Sequence, residues 1–197
     1  MENKNNFKYL SVDSQFIINK QMKNKYTGRN IQYKFKNGVR ISAIVDINGI
    51  PLINSINKGS EHDSVCLINI MQQLFKLGIS TIDFKNKKKS KITLLGDSAY
   101  DTKNIRNFLN ENNMKGILRI NNRNTKNKEK LRYLTKDEEK ILNKRSKIEN
   151  CHAWKETIVP RLGKIYDKNY INFEGAHNLS IISLILSRKL IAIKNII

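Results

Sequence analysis

Cysteine is nearly missing from this chain: of 197 residues only Cys66 and Cys151 are thiols, and they lack metal-ligand spacing. That argues against a structural zinc site and a disulfide framework, and makes a reducing compartment the default. Acids are scarce too, 17 Asp and Glu against 37 Lys and Arg, for a formal charge of +20. Such an imbalance exceeds the needs of solubility and carries a large self-repulsion. Long apolar runs are also lacking. The amino terminus is polar, without a stretch of signal-peptide type, and the apolar residues between 179 and 193 are broken by Arg188 and Lys189. No membrane span and no membrane partner are expected. Internal repeats are absent as well.

What is there is a globular composition, 39% hydrophobic and 27% charged, long enough for one substantial core and read as one domain. A polyanionic partner would offset the charge. Nucleic acid comes first, since neutralised phosphates release counterions and give affinity without base contacts.

The stretch from Ile92 to Leu109 organises the chain. Ile92 to Leu95 is an apolar, partly β-branched run that breaks at Gly96 and leaves Asp97 at a strand end. A helix start follows at Asp101 or Thr102, with Ile105, Phe108 and Leu109 at helical spacing. A carboxylate leaving a core strand, backed by a packed helix, is held rigidly and still reaches solvent, as a metal or phosphoryl site requires. The plainer alternative is an acid that only caps a turn.

Ahead of it, Tyr9 to Ile18 reads as a strand with Asp13 near its middle, an acid that must face solvent or meet a cation. Residues 20–34 read as an irregular loop carrying Lys20, Lys23, Lys25, Arg29 and Lys34. Phe35 to Ile47 and Ile50 to Ile56 form a hairpin about the turn Asp46-Ile47-Asn48-Gly49, which claims Asp46 for the turn. Gly59 to Ser64 leads into a helix whose apolar face, Val65 through Leu77, stops at Gly78, with Ser60 or Asp63 as the expected N-cap and His62 read as satisfying nearby backbone groups or capping beside Asp63. Residues 85–91 form a basic turn before the pivotal strand.

After a helix over about 102–112, Gly116 to Ile120 gives a fifth strand and 121–136 a basic exposed loop. A long helix over about 137–158 is ended by Pro160, and carries Arg145, Glu149 and His152 on one face. Phe173, Ala176, Leu179, Ile182, Leu186, Leu190 and Ile193 mark the stripe of a terminal helix against the sheet. Three hairpin-linked strands followed by crossovers predict an α/β fold, a mixed five-stranded sheet with flanking helices.

In that topology Asp13, Asp97 and Glu149 can converge at one sheet edge. Three carboxylates do not all stay ionised cheaply without a cation. Two divalent ions roughly 3.5–4 Å apart would meet that need and clamp the attacking and leaving oxygens of a phosphodiester displacement. Mg²⁺ suits so sparse a set of oxygen ligands.

The order and spacing of several pieces now carry a resemblance. They are Ser11-Val12-Asp13-Ser14, Tyr26-x-Gly28-Arg29 with Tyr33-Lys34, Asp46-Ile47-Asn48-Gly49, and Gly59-Ser60-x-His62-Asp63-Ser64. Gly96-Asp97-Ser98-Ala99-Tyr100-Asp101 and Arg145-x-x-Ile148-Glu149 with Ala153-Trp154 follow. From about residue 9 to residue 190 the chain resembles the DDE transposases of bacterial insertion sequences and the related Harbinger-like transposases. The resemblance implies a ribonuclease-H-like fold and metal-dependent phosphodiester cleavage and strand transfer at element ends. Asp13, Asp97 and Glu149 would be the catalytic acids and metal ligands, with Mg²⁺ as cofactor and Mn²⁺ as its substitute. Arg145, Lys155, Arg29 and Lys34 would contact DNA.

Further implications are double-stranded DNA as partner, a homodimer on it, and a separately encoded DNA-recognition subunit. Residence would be the cytoplasm or nucleoid of a prokaryote or the nucleus of a eukaryote. Residues 1–8 then form a flexible terminus and 9–197 the catalytic domain, with no separate amino-terminal DNA-binding domain expected. One departure stands out: many relatives carry a Lys seven positions after the glutamate, where this chain has Glu156, with Lys155 one place earlier. Two alternatives stay open, a non-catalytic or domesticated basic DNA-binding protein and a stand-alone nuclease of the same fold. A Cys151–His152 nucleophile is not expected, because neighbours on a helix point apart.

Overall fold

The structure is a computed structural model and describes residues 8–20, 26–78, 92–121 and 133–194. The expected basic turn at 85–91 falls wholly outside these residues, as does most of the basic loop at 121–136.

Strand β1 (Tyr9–Asn19) is the centre of the sheet. Its side chains alternate between faces, and each face has its own core. Leu10 and Val12 join Ile44, Leu94, Leu67, Ile70, Met71, Leu74, Ile105 and Leu109 in the larger cluster. β1 pairs antiparallel with β3 (Lys36–Val45), which pairs antiparallel with β4 (Pro51–Lys58). On its other side β1 pairs parallel with β5 (Thr93–Gly96), and β5 with β6 (Lys115–Leu118). The five expected strands therefore lie in the order β4-β3-β1-β5-β6. Two short strands extend them: β2 (Gly28–Asn30), inside the region read as loop, takes up the start of β3, and β7 (Lys164–Ile165) runs beside the end of β1.

Helices α1 (Asp63–Lys76) and α2 (Lys103–Glu111) cover the larger cluster. On the opposite face lie α3 (Lys136–Leu142), α4 (Ser146–Ile158) and α5 (Tyr170–Lys194). The hairpin turn is as expected: the Asp46 carboxylate accepts from the main-chain nitrogens of Asn48 at 2.9 Å and Ile50 at 2.8 Å, and burial pushes its acid up. At the N-cap of α1 it is His62, not Ser60 or Asp63, that accepts from the Ser64 nitrogen, because Asp63 is drawn instead to the buried guanidinium of Arg40 on β3.

Two helices depart from the sequence reading. The long helix of 137–158 is two, joined by a 3-10 turn over Asn143–Arg145. Its two halves serve different strands: Leu142 packs with Leu95 and Ile117, whereas Ile148 and Cys151 pack with Ala43 and Val45. A tighter turn between them changes which side of the helix faces the sheet. In α5 the buried side holds Phe173, Ala176, His177, Ser180, Ile181 and Leu184, while Leu179, Ile182 and Leu186 are exposed. The helix is apolar on several sides, so periodicity placed Phe173 and Ala176 correctly and then followed the wrong side from Leu179 onward. The side chains of Leu190 and Ile193 lie outside the described set.

Candidate active site

The site begins at a glycine. A Cβ on Gly96 would stand 2.9 Å from Leu118, 3.2 Å from Tyr100 and 3.3 Å from Val12. Glycine lets β5 end tight against its neighbours, and Asp97 emerges at once. Its carboxylate accepts from the Ala99 nitrogen at 2.8 Å and caps a 3-10 turn over Ser98–Tyr100. Tyr100 is buried beneath, with its hydroxyl 2.9 Å from Ser14 Oγ, so it packs and bonds without being free for chemistry. Asp101 is tied to Arg106 at 2.7 Å and accepts from the Asn121 nitrogen at 3.1 Å, which fixes the start of α2.

Register sets Asp13 beside Asp97. Ser11 pairs with Leu95 in the parallel β1–β5 ladder, and two further residues along each strand lead to the two acids. Of the two outcomes open to a mid-strand acid, solvent or a cation, Asp13 takes the cation. Arg145 lies 3.5 Å from the Asp13 carboxylate and 3.5 Å from that of Glu149, bridging β1 to α4. Glu149 is 60% exposed and Asp13 21%. Burial raises the Asp13 acid to about 6; Arg145 opposes this, while Asp97 and Glu149 add to it.

Beside these acids is a cleft of about 130 Å³ lined by Gly96, Arg119, Leu142, Arg145, Ser146 and Glu149. Arg119 was not legible in the sequence. It follows β6, and its main-chain nitrogen donates to the Gly96 carbonyl at 3.0 Å, so the parallel β5–β6 pairing brings its cation to the cleft.

Lys155 departs from its expected role. It is 2% exposed, turned into the space between α4 and the sheet, with Nζ 3.1 Å from His152 Nδ1. Burial lowers its ammonium and pushes the His152 imidazole well below its usual range, Lys155 and His177 adding to the effect on His152. A lysine so enclosed is not a surface contact for DNA. Cys151 is buried too, its thiol pushed up by that burial, which leaves no activated nucleophile beside His152. Glu156, the departing position, accepts from Gln15 Nε2 and so holds α4 to β1 two residues beyond Asp13. Arg29 and Lys34 are exposed but belong to the opposite end of β3, away from the acids.

The donor set fits a hard divalent cation: three carboxylates, one of them partly buried and charged at a cost that a cation would relieve. Among the described residues no three His, Cys, Asp or Glu side chains come close enough to enclose an ion, and Arg145 stands between Asp13 and Glu149. The fit is one of donor chemistry.

A mixed sheet in this order, with helices on both faces and acids at the β1–β5 edge, defines an α/β domain of ribonuclease-H-like fold. The chain matches the transposase DDE domain family over residues 8–185 and belongs to it. A solved structure with a similar fold is the piggyBac transposase synaptic complex with hairpin DNA, at 10% identity and a TM-score of 0.57, covering 95% of this chain and 48% of that one. The chain thus spans about half the length of that transposase. The catalytic domain of the Mos1 mariner transposase is also matched, at 11% identity and a TM-score of 0.39, covering 82% of this chain and 85% of that one. No curated protein sequence matches.

Proposed function

We propose that this chain is the catalytic domain of a DNA transposase, cleaving phosphodiester bonds at element ends and joining the freed strand to new DNA. The observation that carries the reading is the meeting of Asp13, Arg145 and Glu149 at the sheet edge, with Asp97 in register beside them. Asp13, Asp97 and Glu149 would hold the divalent ions, Mg²⁺ with Mn²⁺ as substitute. Ions bound there supply Lewis-acid stabilisation of charge on the attacking and leaving oxygens. Each acid already has a mechanical support: Asp97 is fixed by the Ala99 nitrogen, Asp13 by its strand and Glu149 by α4. Arg145 and Arg119 are the cations placed to meet phosphate oxygens at the cleft. Positioning and charge stabilisation are the main demands of such a displacement.

Double-stranded DNA is then substrate and partner, in whichever compartment holds it. A homodimer on DNA and a separately encoded recognition subunit are the further partners this reading carries. The test is to incubate the full chain with Mg²⁺ or Mn²⁺ and a duplex carrying the inverted repeats that flank its gene. Strand cleavage followed by joining to a second duplex is expected, and Asp97→Asn should lose both. Cleavage without joining would reassign the chain as a stand-alone nuclease. Binding with neither product would make it a DNA-binding protein that has kept the fold.

A further inference from the structure

The loop between β2 and β3 exposes apolar side chains that the fold does not use. Ile31 is 76% exposed and Phe35 63%, with Tyr33 partly exposed between them. The backbone there is strained as well as exposed. Lys34 and Phe35 lie in the left-handed region, at φ +54° and +58°, where successive non-glycine residues are disfavoured. The loop is nonetheless firmly built. Asn30, buried beneath it, accepts from the Gln32 nitrogen at 2.9 Å and donates from Nδ2 to the Gly59 carbonyl at 3.3 Å. Phe35 donates its main-chain N–H to the Asn30 carbonyl at 2.9 Å, and the Tyr33 ring rests against Phe16. A phenylalanine held out of the core in a conformation suited to glycine contributes little to folding.

Charge decides what covers it. Between Asp13 and Asp46 the chain has no acid, and its exposed cations include Arg29, Lys34 and Lys36. Away from DNA, a second copy carries the same +20 and would be repelled. We infer that this loop is a second DNA contact, in which Phe35 and Ile31 enter a groove against sugars and bases while Arg29, Lys34 and Lys36 hold the flanking phosphates. Apolar wedges between cations are a general means of gripping a duplex. Position adds a scale. Ala43 pairs with Asp13, and Phe35 lies eight residues further back along the chain, so the contact falls roughly 25 Å from the carboxylates at about 3.3 Å per residue. That is about seven base pairs of duplex from the cut phosphate, at 3.4 Å each.

This inference rests on the reading of the chain as an enzyme of DNA. It is tested by fluorescence anisotropy of the full chain with a labelled 30-base-pair duplex of mixed sequence over a range of salt. Phe35→Ala should weaken binding about tenfold and leave the slope of log affinity against log salt unchanged, because no phosphate contact is lost. Lys34→Ala should weaken binding and reduce that slope by about one. Phe35→Gly, which relieves the backbone, should bind as weakly as Phe35→Ala and keep or raise the melting temperature, which separates lost contact from lost fold. Wild-type affinity in Phe35→Ala overturns the inference while sparing the DNA reading. Absence of duplex binding by the unaltered chain overturns both. A dimer in sedimentation that Phe35→Ala dissolves would assign the loop to a second copy instead.

Discussion

The burial of Asp13 costs the fold stability, in part offset by Arg145. Its acid rises from 3.8 to about 6, chiefly through burial, so at neutral pH the folded protein carries an ionised group that it disfavours. A raised acid takes up a proton on folding between those two values. Its destabilising effect therefore grows as pH climbs through that window and is complete above it. Roughly two units correspond to on the order of 3 kcal/mol. Asp13→Asn should accordingly raise stability at pH 7 by about 1–3 kcal/mol in urea unfolding without added metal, and abolish cleavage. His177 has the opposite sign. It is buried with neither ring nitrogen hydrogen-bonded, stacked on Phe173, and burial lowers it from 6.5 to about 3, with the Lys155 charge adding to the effect. The unfolded chain gains that proton first as pH falls, so stability is lost from about pH 6.5 downward, by up to 1.36 kcal/mol per unit. His177→Leu removes this component. Its stability relative to the unaltered chain should increase steadily from pH 7 to pH 4, measured by urea unfolding at each pH.

Among the elements, β5 and the turn that follows it bear most on the site. A methyl group at Gly96 would press on Leu118, Tyr100 and Val12, so Gly96→Ala should cost about 1–3 kcal/mol by overpacking. Because the strain falls one residue before Asp97, the loss of cleavage should exceed what the remaining folded fraction explains. Circular dichroism melts and cleavage rates on the same preparation make that comparison. The five longer strands were legible from their apolar runs, helped where a turn or a glycine marks the end: Asp46 to Gly49 closed the hairpin, and Gly96 stopped β5, whereas β2 and β7 are too short to show a pattern. Helix faces were harder. Leu179, Ile182 and Leu186 are as well spaced as the residues that pack; which side is buried is decided by the sheet, where Phe173 and Ala176 meet Val39 and Ile41 and Leu184 meets Ala43 and Val45, and a helical period does not contain that. The break at Asn143–Arg145 was hidden for the same reason, since it answers to two clusters on different strands.

For the whole molecule, one sheet and two layers of helix bring Asp13 and Glu149, 136 residues apart in the chain, to the one guanidinium of Arg145. Asp13 and Asp97 could be found singly, each from its place in an apolar strand, but Glu149 needed Arg145 before it and the motif order around it. Arg119 and Lys155 show the limit of such reading. A lysine on a helix is a surface cation by default, yet Lys155 is enclosed by α4 and its neighbours, while Arg119 gains its place only from the pairing of β5 with β6. The charge of +20 pointed to a polyanion without saying where it lies; the cleft at Arg119 and Arg145 and the β2–β3 loop are the two places we propose for it. The central claim is that Asp13, Asp97 and Glu149 form a divalent-cation site. Titration of Mn²⁺ into the full chain, followed by the electron paramagnetic resonance signal of the free ion, tests it most directly. The signal should be suppressed until about two ions per chain are taken up, and Asp97→Asn should leave most of the ion free. Mn²⁺ that stays free with the unaltered chain, or binds Asp97→Asn equally well, contradicts the claim.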